Sequence, residues 1–330
     1  MTDCLLVGDL GGTNARFALA DSTQAGFSHC RTLAAVDFET PIDAMQAYLD
    51  GLGDARPAGV VMAVAGPIVD GRVRFSNSHW SLDEASIRAA FDGAAVRLMN
   101  DFEAIACSLP LLGPDDYEAI GPVKCALEGA SDLTVGVLGP GTGLGVASLV
   151  VRDGRSYPLA GEGGHVGFAP ESAVQMEVLA FLRQRFERVS IERLLCGPGI
   201  ENIYDAMRHI NGLSPHPTDA AEVFTKALEN QDESASETVQ MFFEVLGQAA
   251  GDLAMTLGAA GGIFIAGGIV KRYPELLKSS SFRAGFENKG RHRSLVERIP
   301  TALLTHSQPG LLGASNMAHQ LVPMPGGAAT

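Results

Sequence analysis

Twice in this chain an apolar strand runs into a short turn of glycine and threonine, and a second apolar strand leaves at once. The first pass is Leu5-Leu6-Val7-Gly8-Asp9-Leu10-Gly11-Gly12-Thr13-Asn14-Ala15-Arg16-Phe17-Ala18-Leu19-Ala20. The second runs from residues 133–138 through Gly139-Pro140-Gly141-Thr142-Gly143-Leu144-Gly145 into residues 146–151. Glycines such as Gly11 and Gly12 carry no Cβ and can take positive φ. Both turns are therefore expected to be tight and to present backbone N–H groups to an anion such as a phosphate. Asp9, beside the first turn, can hold Mg²⁺ directly or through water. A plain β-hairpin gives the same local pattern, so one turn alone leaves both readings open. Two of them point to an internally duplicated fold in which each half offers a turn to the same polyphosphate.

Several classes of nucleotide-binding protein drop out. No Gly-x-x-x-x-Gly-Lys-[Ser/Thr] loop and no Gly-x-Gly-x-x-Gly fingerprint occurs. The His-Arg-Asp and Asp-Phe-Gly signatures of protein kinases are missing too. The formal net charge of −14 opposes nucleic-acid binding and repels a nucleotide at long range. An anionic ligand must then be gripped locally, by backbone amides and a metal ion. Five cysteines are scattered singly, which indicates neither a zinc site nor a redox dithiol and fits a reducing compartment. No apolar run is long enough to span a bilayer, and no signal peptide is recognisable. The expectation is a cytosolic protein without a membrane or nucleic-acid partner.

At 330 residues, 46% of them hydrophobic, the chain suits two domains. Strands are expected at 4–9, 15–20, 28–33, 59–65 and 96–99. Helices are expected at 41–49, at 82–91 with Ser81 as N-cap, and at 102–109. This alternation predicts a mixed sheet in the first third. Beyond the second hairpin come a glycine-rich loop at 161–167 and helices at 172–188, 199–210 and 235–258. Short strands at 263–266 and 300–305, a helix at 311–321 and a frayed end at 323–330 complete the pattern.

Three places carry side chains suited to chemistry. Asn100-Asp101 stands where a strand ends and a helix begins, the usual ligand position of open α/β sheets. A carboxylate there can take a proton from an attacking hydroxyl while Asn100 holds a neighbouring one. Asp101 acting only as a helix N-cap explains the same residues. Gly161-Glu162-Gly163-Gly164-His165 puts a carboxylate and an imidazole three residues apart, groups that sugar hydroxyls need; a loop histidine bonded to backbone is the plainer reading. Glu192 either accepts from a hydroxyl or sits in a first helical turn for the sake of the dipole. Gly267 and Gly268, after a buried strand, permit a flat group such as adenine to approach, or simply make a strand-to-helix turn.

These motifs, in this order, resemble the bacterial glucokinase family of the actin/hexokinase/heat-shock ATPase superfamily. The resemblance rests on residues 7–16, 99–102, 141–146 and 161–166, on Glu192-Arg193 with Gly197-Pro198-Gly199, on residues 264–270, and on Pro309-Gly310-Leu311-Leu312-Gly313. It implies an α/β, two-domain actin-like ATPase (ribonuclease H-like) fold with duplicated mixed sheets around a central cleft. Residues 1–112 with 306–330 would form the small domain and 113–305 the large one. It implies ATP-dependent phosphorylation of glucose at the 6-hydroxyl, the first step of sugar catabolism, with Asp101 as general base. Asn77, Asn100, Glu162, His165 and Glu192 would bind the sugar. Gly8, Asp9, Leu10, Gly11, Gly12, Thr13, Gly141 and Thr142 would hold the phosphates, Mg²⁺ would lie near Asp9, and Gly267 and Gly268 near the nucleoside. Members are commonly homodimers. Val166-Gly167-Phe168-Ala169-Pro170 replaces the cysteine-rich zinc motif of the related repressor/kinase group, which places the chain with the zinc-free members. Pro140 removes one N–H donor from the second turn. A kinase for another hexose or amino sugar, or a sugar sensor on the same scaffold, is the competing reading.

Overall fold

The computed structural model describes residues 2–20, 26–53, 55–75 and 78–322. The expected frayed end at 323–330 and the candidate sugar ligand Asn77 lie outside the described residues.

The strands are β1 (Thr2–Leu10), β2 (Asn14–Ala20), β3 (Phe27–Ala34), β4 (Ala55–Val64), β5 (Ile68–Val69), β6 (Arg72–Arg74), β7 (Ser81–Asp83), β8 (Ala95–Asn100), β9 (Tyr117–Ala119), β10 (Leu133–Pro140), β11 (Leu144–Arg152), β12 (Arg155–Ala160), β13 (Gly262–Ile265) and β14 (Thr301–Leu304). The helices are α1 (Pro41–Asp50), α2 (Glu84–Ala90), α3 (Asp101–Ser108), α4 (Ala173–Leu182), α5 (Gly197–Ile210), α6 (Ala220–Leu228), α7 (Glu233–Leu257), α8 (Gly268–Arg272), α9 (Pro274–Ser279), α10 (Phe282–Glu287), α11 (Arg293–Val296) and α12 (Pro309–Leu321).

One strand order occurs twice. The first sheet runs β3-β2-β1-β4-β8, and the second runs β12-β11-β10-β13-β14 with β9 added at its edge. In each, an antiparallel three-strand meander is followed by two parallel strands. Both hairpins read from the sequence, β1–β2 and β10–β11, occupy matching places. Parallel pairing brings C-terminal strand ends to one edge, so the ends of β4 and β8 in one half, and of β13 in the other, lie on the same side as the glycine turns.

Local chemistry sets the element ends. In α1, Thr40 caps the helix in a reciprocal box with Asp43, and Pro41 fills the first turn, where no N–H is missed. The expected helix at 82–91 begins later. Asp83, not Ser81, is its N-cap, accepting from Ser86 N at 2.9 Å. Residues 81–83 are drawn instead into a small sheet with β6. Likewise α4 stops at Leu182 rather than running to 188. The backbone of 189–191 is taken up by the loop before it: Phe168 N donates to Val189 O and Ile191 N to Val166 O.

Among the described residues three apolar cores result. One lies on the outer face of the first sheet around Phe17, Tyr48 and Trp80. Another lies between the second sheet and helices α5, α6, α7 and α10. The third is shared by both sheets: Val7, Val61 and Met99 meet Val137, Leu149 and Phe264 through α3 and α12. Helix α12 therefore returns to pack on β1, β4 and α3.

Candidate active site

Strand β8 delivers Asn100 and Asp101 to the rim of a cleft. Asn100 is the N-cap of α3: its Oδ1 accepts from Phe102 N at 2.9 Å, and Glu103 Oε2 accepts from Asn100 N at 3.2 Å. Glu103 is buried and takes a second bond from Arg97 Nη2 at 2.6 Å. Asn100 does the capping, so Asp101, the first helical residue, is not consumed by that task. Its Oδ1 accepts from Phe102 N at 2.9 Å. Burial pushes the Asp101 carboxyl up to about 6, and the nearby charge of Asp9 pushes the same way against the Phe102 N–H.

Asp9 stands near the end of β1, opposite Arg16 of β2, with Arg16 Nη1 3.5 Å from its Oδ2. Burial raises its carboxyl above the ordinary range, opposed by Arg16. A Cβ on Gly310, at the start of α12, would come 3.3 Å from that carboxyl, so the helix approaches Asp9 on its glycine side. The first turn is closed by Gly11 N donating to Asn14 O at 2.9 Å. The expected positive φ is not used at Gly11. Gly12 lines the cleft. Gly8 and Leu10 are buried in β1, and Thr13 is exposed.

The second turn is built differently. Gly141 N donates to Gly143 O at 2.8 Å, and Gly141 O accepts from Gly197 N at 2.9 Å, which docks the turn on the first residue of α5. Gly267 has φ +97, and a Cβ there would overlap the carbonyl of Pro140. Only glycine lets the β13–α8 corner sit against the end of β10. Phe102 packs on the face of the second hairpin over the paired Gly139 and Gly145, where a Cβ on either glycine would overlap its ring. That contact fastens α3 to the second sheet.

Glu192 reaches across from the short helical turn at 191–193. Its Oε2 accepts from Leu144 N at 2.9 Å, and its Oε1 lies 3.8 Å from His165 Nδ1. The segments carrying them are joined by the bridge between Gly167 and Ser190. His165 is mostly exposed, and its carbonyl accepts from Arg188 at 2.7 Å.

A cleft of about 570 Å³ gathers Gly12, Asn100, Asp101, Gly141, Thr142, Glu162, Glu192 and Gly267 from both halves of the chain. His165 joins through Glu192, and Asp9 through its field on Asp101. Gly268 opens α8 and is not in the cleft wall. Gly66, Pro67 and Phe75 also line it, none of them singled out from the sequence, and so does Phe102, which the motif at 99–102 contains without assigning it a role. The one signal for Phe102 is its place between Asp101 and the cap residue Glu103. Among the described residues no group of three His, Cys, Asp or Glu side chains is arranged to hold a metal by itself. A magnesium ion that arrives with a nucleotide keeps several waters and needs only one or two carboxylates. Asp9, half-buried beside the first turn, fits that demand.

Two sheets of one repeated order, each offering a glycine turn to a single acid-bearing cleft, define a sugar kinase of the actin-like fold. The ROK hexokinase from Thermus thermophilus shares that fold with a TM-score of 0.66 at 20% identity, over 96% of this chain and 98% of that one. The glucokinase from an Antarctic psychrotroph superposes with a TM-score of 0.89 at 34% identity, covering 97% and 100%. The glucokinase of Caulobacter sp. (strain K31) is 44% identical over 312 residues, 94% of this chain and 93% of the relative. A family model described as Glucokinase matches residues 6–321. The chain belongs to the glucokinase family and is a kinase of glucose.

Proposed function

We propose that the chain transfers the γ-phosphoryl group of ATP to the 6-hydroxyl of glucose, with Asp101 as general base. The observation that carries this is the placement of Asp101: a carboxyl with its acidity shifted to about 6, at a strand end, between the glycine turns of the two sheets. A group of that basicity takes a hydroxyl proton effectively near neutral pH. The 6-oxygen attacks the γ-phosphorus as its proton passes to an Asp101 oxygen, and ADP leaves with the electrons of the broken P–O bond. Asn100, Glu162, His165 and Glu192 bind the remaining hydroxyls, and Asn77 is assigned to the same task from the sequence alone. The first turn around Gly12 and the second turn at Gly141 and Thr142 hold the phosphates, with Gly267 and Gly268 near the nucleoside. Magnesium bound near Asp9 supplies charge neutralisation at the phosphoryl oxygens. Closure of the cleft over the sugar keeps water from taking the phosphoryl group.

A homodimer acting in the cytosol, at the entry to sugar catabolism, belongs to the same reading. The absence among the described helices of one long and apolar enough to cross a membrane is compatible with it. The deciding experiment is Asp101→Ala in a coupled ADP-release assay. The expected loss in kcat is on the order of 10²–10⁴-fold, with glucose still bound. Near-normal turnover refutes the assignment.

A further inference from the structure

We propose that the chain has a second small-molecule site, behind the sugar loop, that takes a one-ring amphipathic compound bearing a hydroxyl and thereby shifts glucose affinity. The site is a cavity of about 190 Å³ between the β10–β11 hairpin, the loop that follows Glu162, and the second half of α7. Leu144, Val146, Phe168, Ile191, Val245 and Leu253 make its walls apolar. Gln248 of α7 also lines it and is only 4% exposed. Its Oε1 is buried without a partner, and no hydrogen bond forms at either end of its carboxamide among the described residues.

The polar groups beside it are otherwise engaged. Asp252 is paired with Lys289 at 2.9 Å, and Thr256 donates to Asp252 O at 2.7 Å. A buried amide without a partner is costly, so Gln248 is the one wall group that asks for a ligand. A hydroxyl meets both of its ends, donating to the oxygen and accepting from the nitrogen. Size sets the rest: an apolar cavity of about 150 Å³ in another protein takes up benzene. This one accommodates a single ring with its hydroxyl.

The site touches the sugar site without being part of it. Leu144 lines both spaces, and its N–H is the bond held by Glu192. Gly163 adjoins Glu162, and Ile191 adjoins Glu192. An occupant therefore bears on the backbone that aims both carboxylates. This coupling rests on the proposed roles of Glu162 and Glu192; the existence of the site does not.

Phenol is the probe and benzene its apolar control, titrated into the full chain without sugar and followed by ligand-observed NMR. Phenol is expected to bind saturably, about fivefold more tightly than benzene, the worth of one net hydrogen bond. Gln248→Leu should bring the two compounds to equal affinity. Ala249→Phe, which fills the cavity from α7, should abolish phenol binding. Equal binding of both compounds to the unaltered chain overturns the site, as does phenol binding that survives Ala249→Phe in a folded protein. In calorimetric titrations without ATP, saturating phenol should change the glucose Kd by about twofold or more, and glucose the phenol Kd by the same factor. An unmoved glucose Kd, with Glu192→Ala nonetheless weakening glucose, overturns the coupling and leaves the sugar assignment standing. A Glu192→Ala variant that binds glucose normally sinks the sugar assignment instead, and the phenol titration still decides the site.

Discussion

Asp101 is held where its charge is unwelcome. Its acidity is shifted from 3.8 to about 6, first by burial and then by Asp9. The folded chain thus grips this proton more tightly than the unfolded chain, so stability falls as pH rises from about 4 to 6 and the penalty is complete above 6. The shift corresponds to about 3 kcal/mol. Asp101→Asn should stabilise the ligand-free protein by that order at pH 7.5 and by almost nothing below pH 4, while kcat falls. Urea unfolding at the two pH values checks it, and identical stabilities at pH 7.5 would count against the shifted acidity. For the unaltered chain, kcat/KM should decline below pH 6 as the base takes up its proton. Such an exchange of stability for activity is common at catalytic groups.

At the scale of elements, the packing of Phe102 over the Gly139–Gly145 pair of β10 and β11 joins the helix that carries the base to the opposite sheet. Gly145→Ala places a methyl group in the ring. Overpacking of this kind costs about 1–3 kcal/mol and should lower kcat as well, since α3 must move with Asp101. Phe102→Leu relieves the clash. In a double-mutant cycle measured by urea unfolding, the pair should therefore lose clearly less than the sum of the single changes. Additivity within about 0.5 kcal/mol would show that the two do not meet. The same element shows why the sequence was only partly legible here. Asn100-Asp101-Phe102-Glu103 reads as a helix start, but cap and base exchange places freely on paper. The bonds from Asn100 and Glu103 decide it, and the use of Gly139 and Gly145 as a socket depends on a contact made across distant segments. Ser81 misleads for a related reason: a three-residue pairing with β6 overrides its capping preference.

Across the whole molecule, the long, strongly apolar strands and the paired glycine turns were legible, and with them the repeat of one strand order. The edge strands β9 and β12, the small sheet β5–β7 and the short helices α8–α11 were not, because segments of two to six residues follow their surroundings rather than their own periodicity. The core shared by the two sheets has a measurable consequence. Trp80, the only tryptophan, is 1% exposed on the first sheet. The longest helices, α5 and α7, lie on the second. With Val7, Val61, Val137 and Phe264 in one cluster, the halves should unfold together. Trp80 fluorescence and far-ultraviolet circular dichroism should then give one urea midpoint; well-separated midpoints would show two independent units.

Gly310 adds a point about reach. The acid beside the first turn belongs to β1, whereas the helix that walls it in is α12, supplied by a segment that follows every strand of the second sheet. That helix also packs on β1, β4 and α3. The pocket around Asp9 is therefore completed only when residues 309–321 are docked, and a substitution that loosens α12 should be felt at Asp9 from a helix that carries none of the chemistry itself.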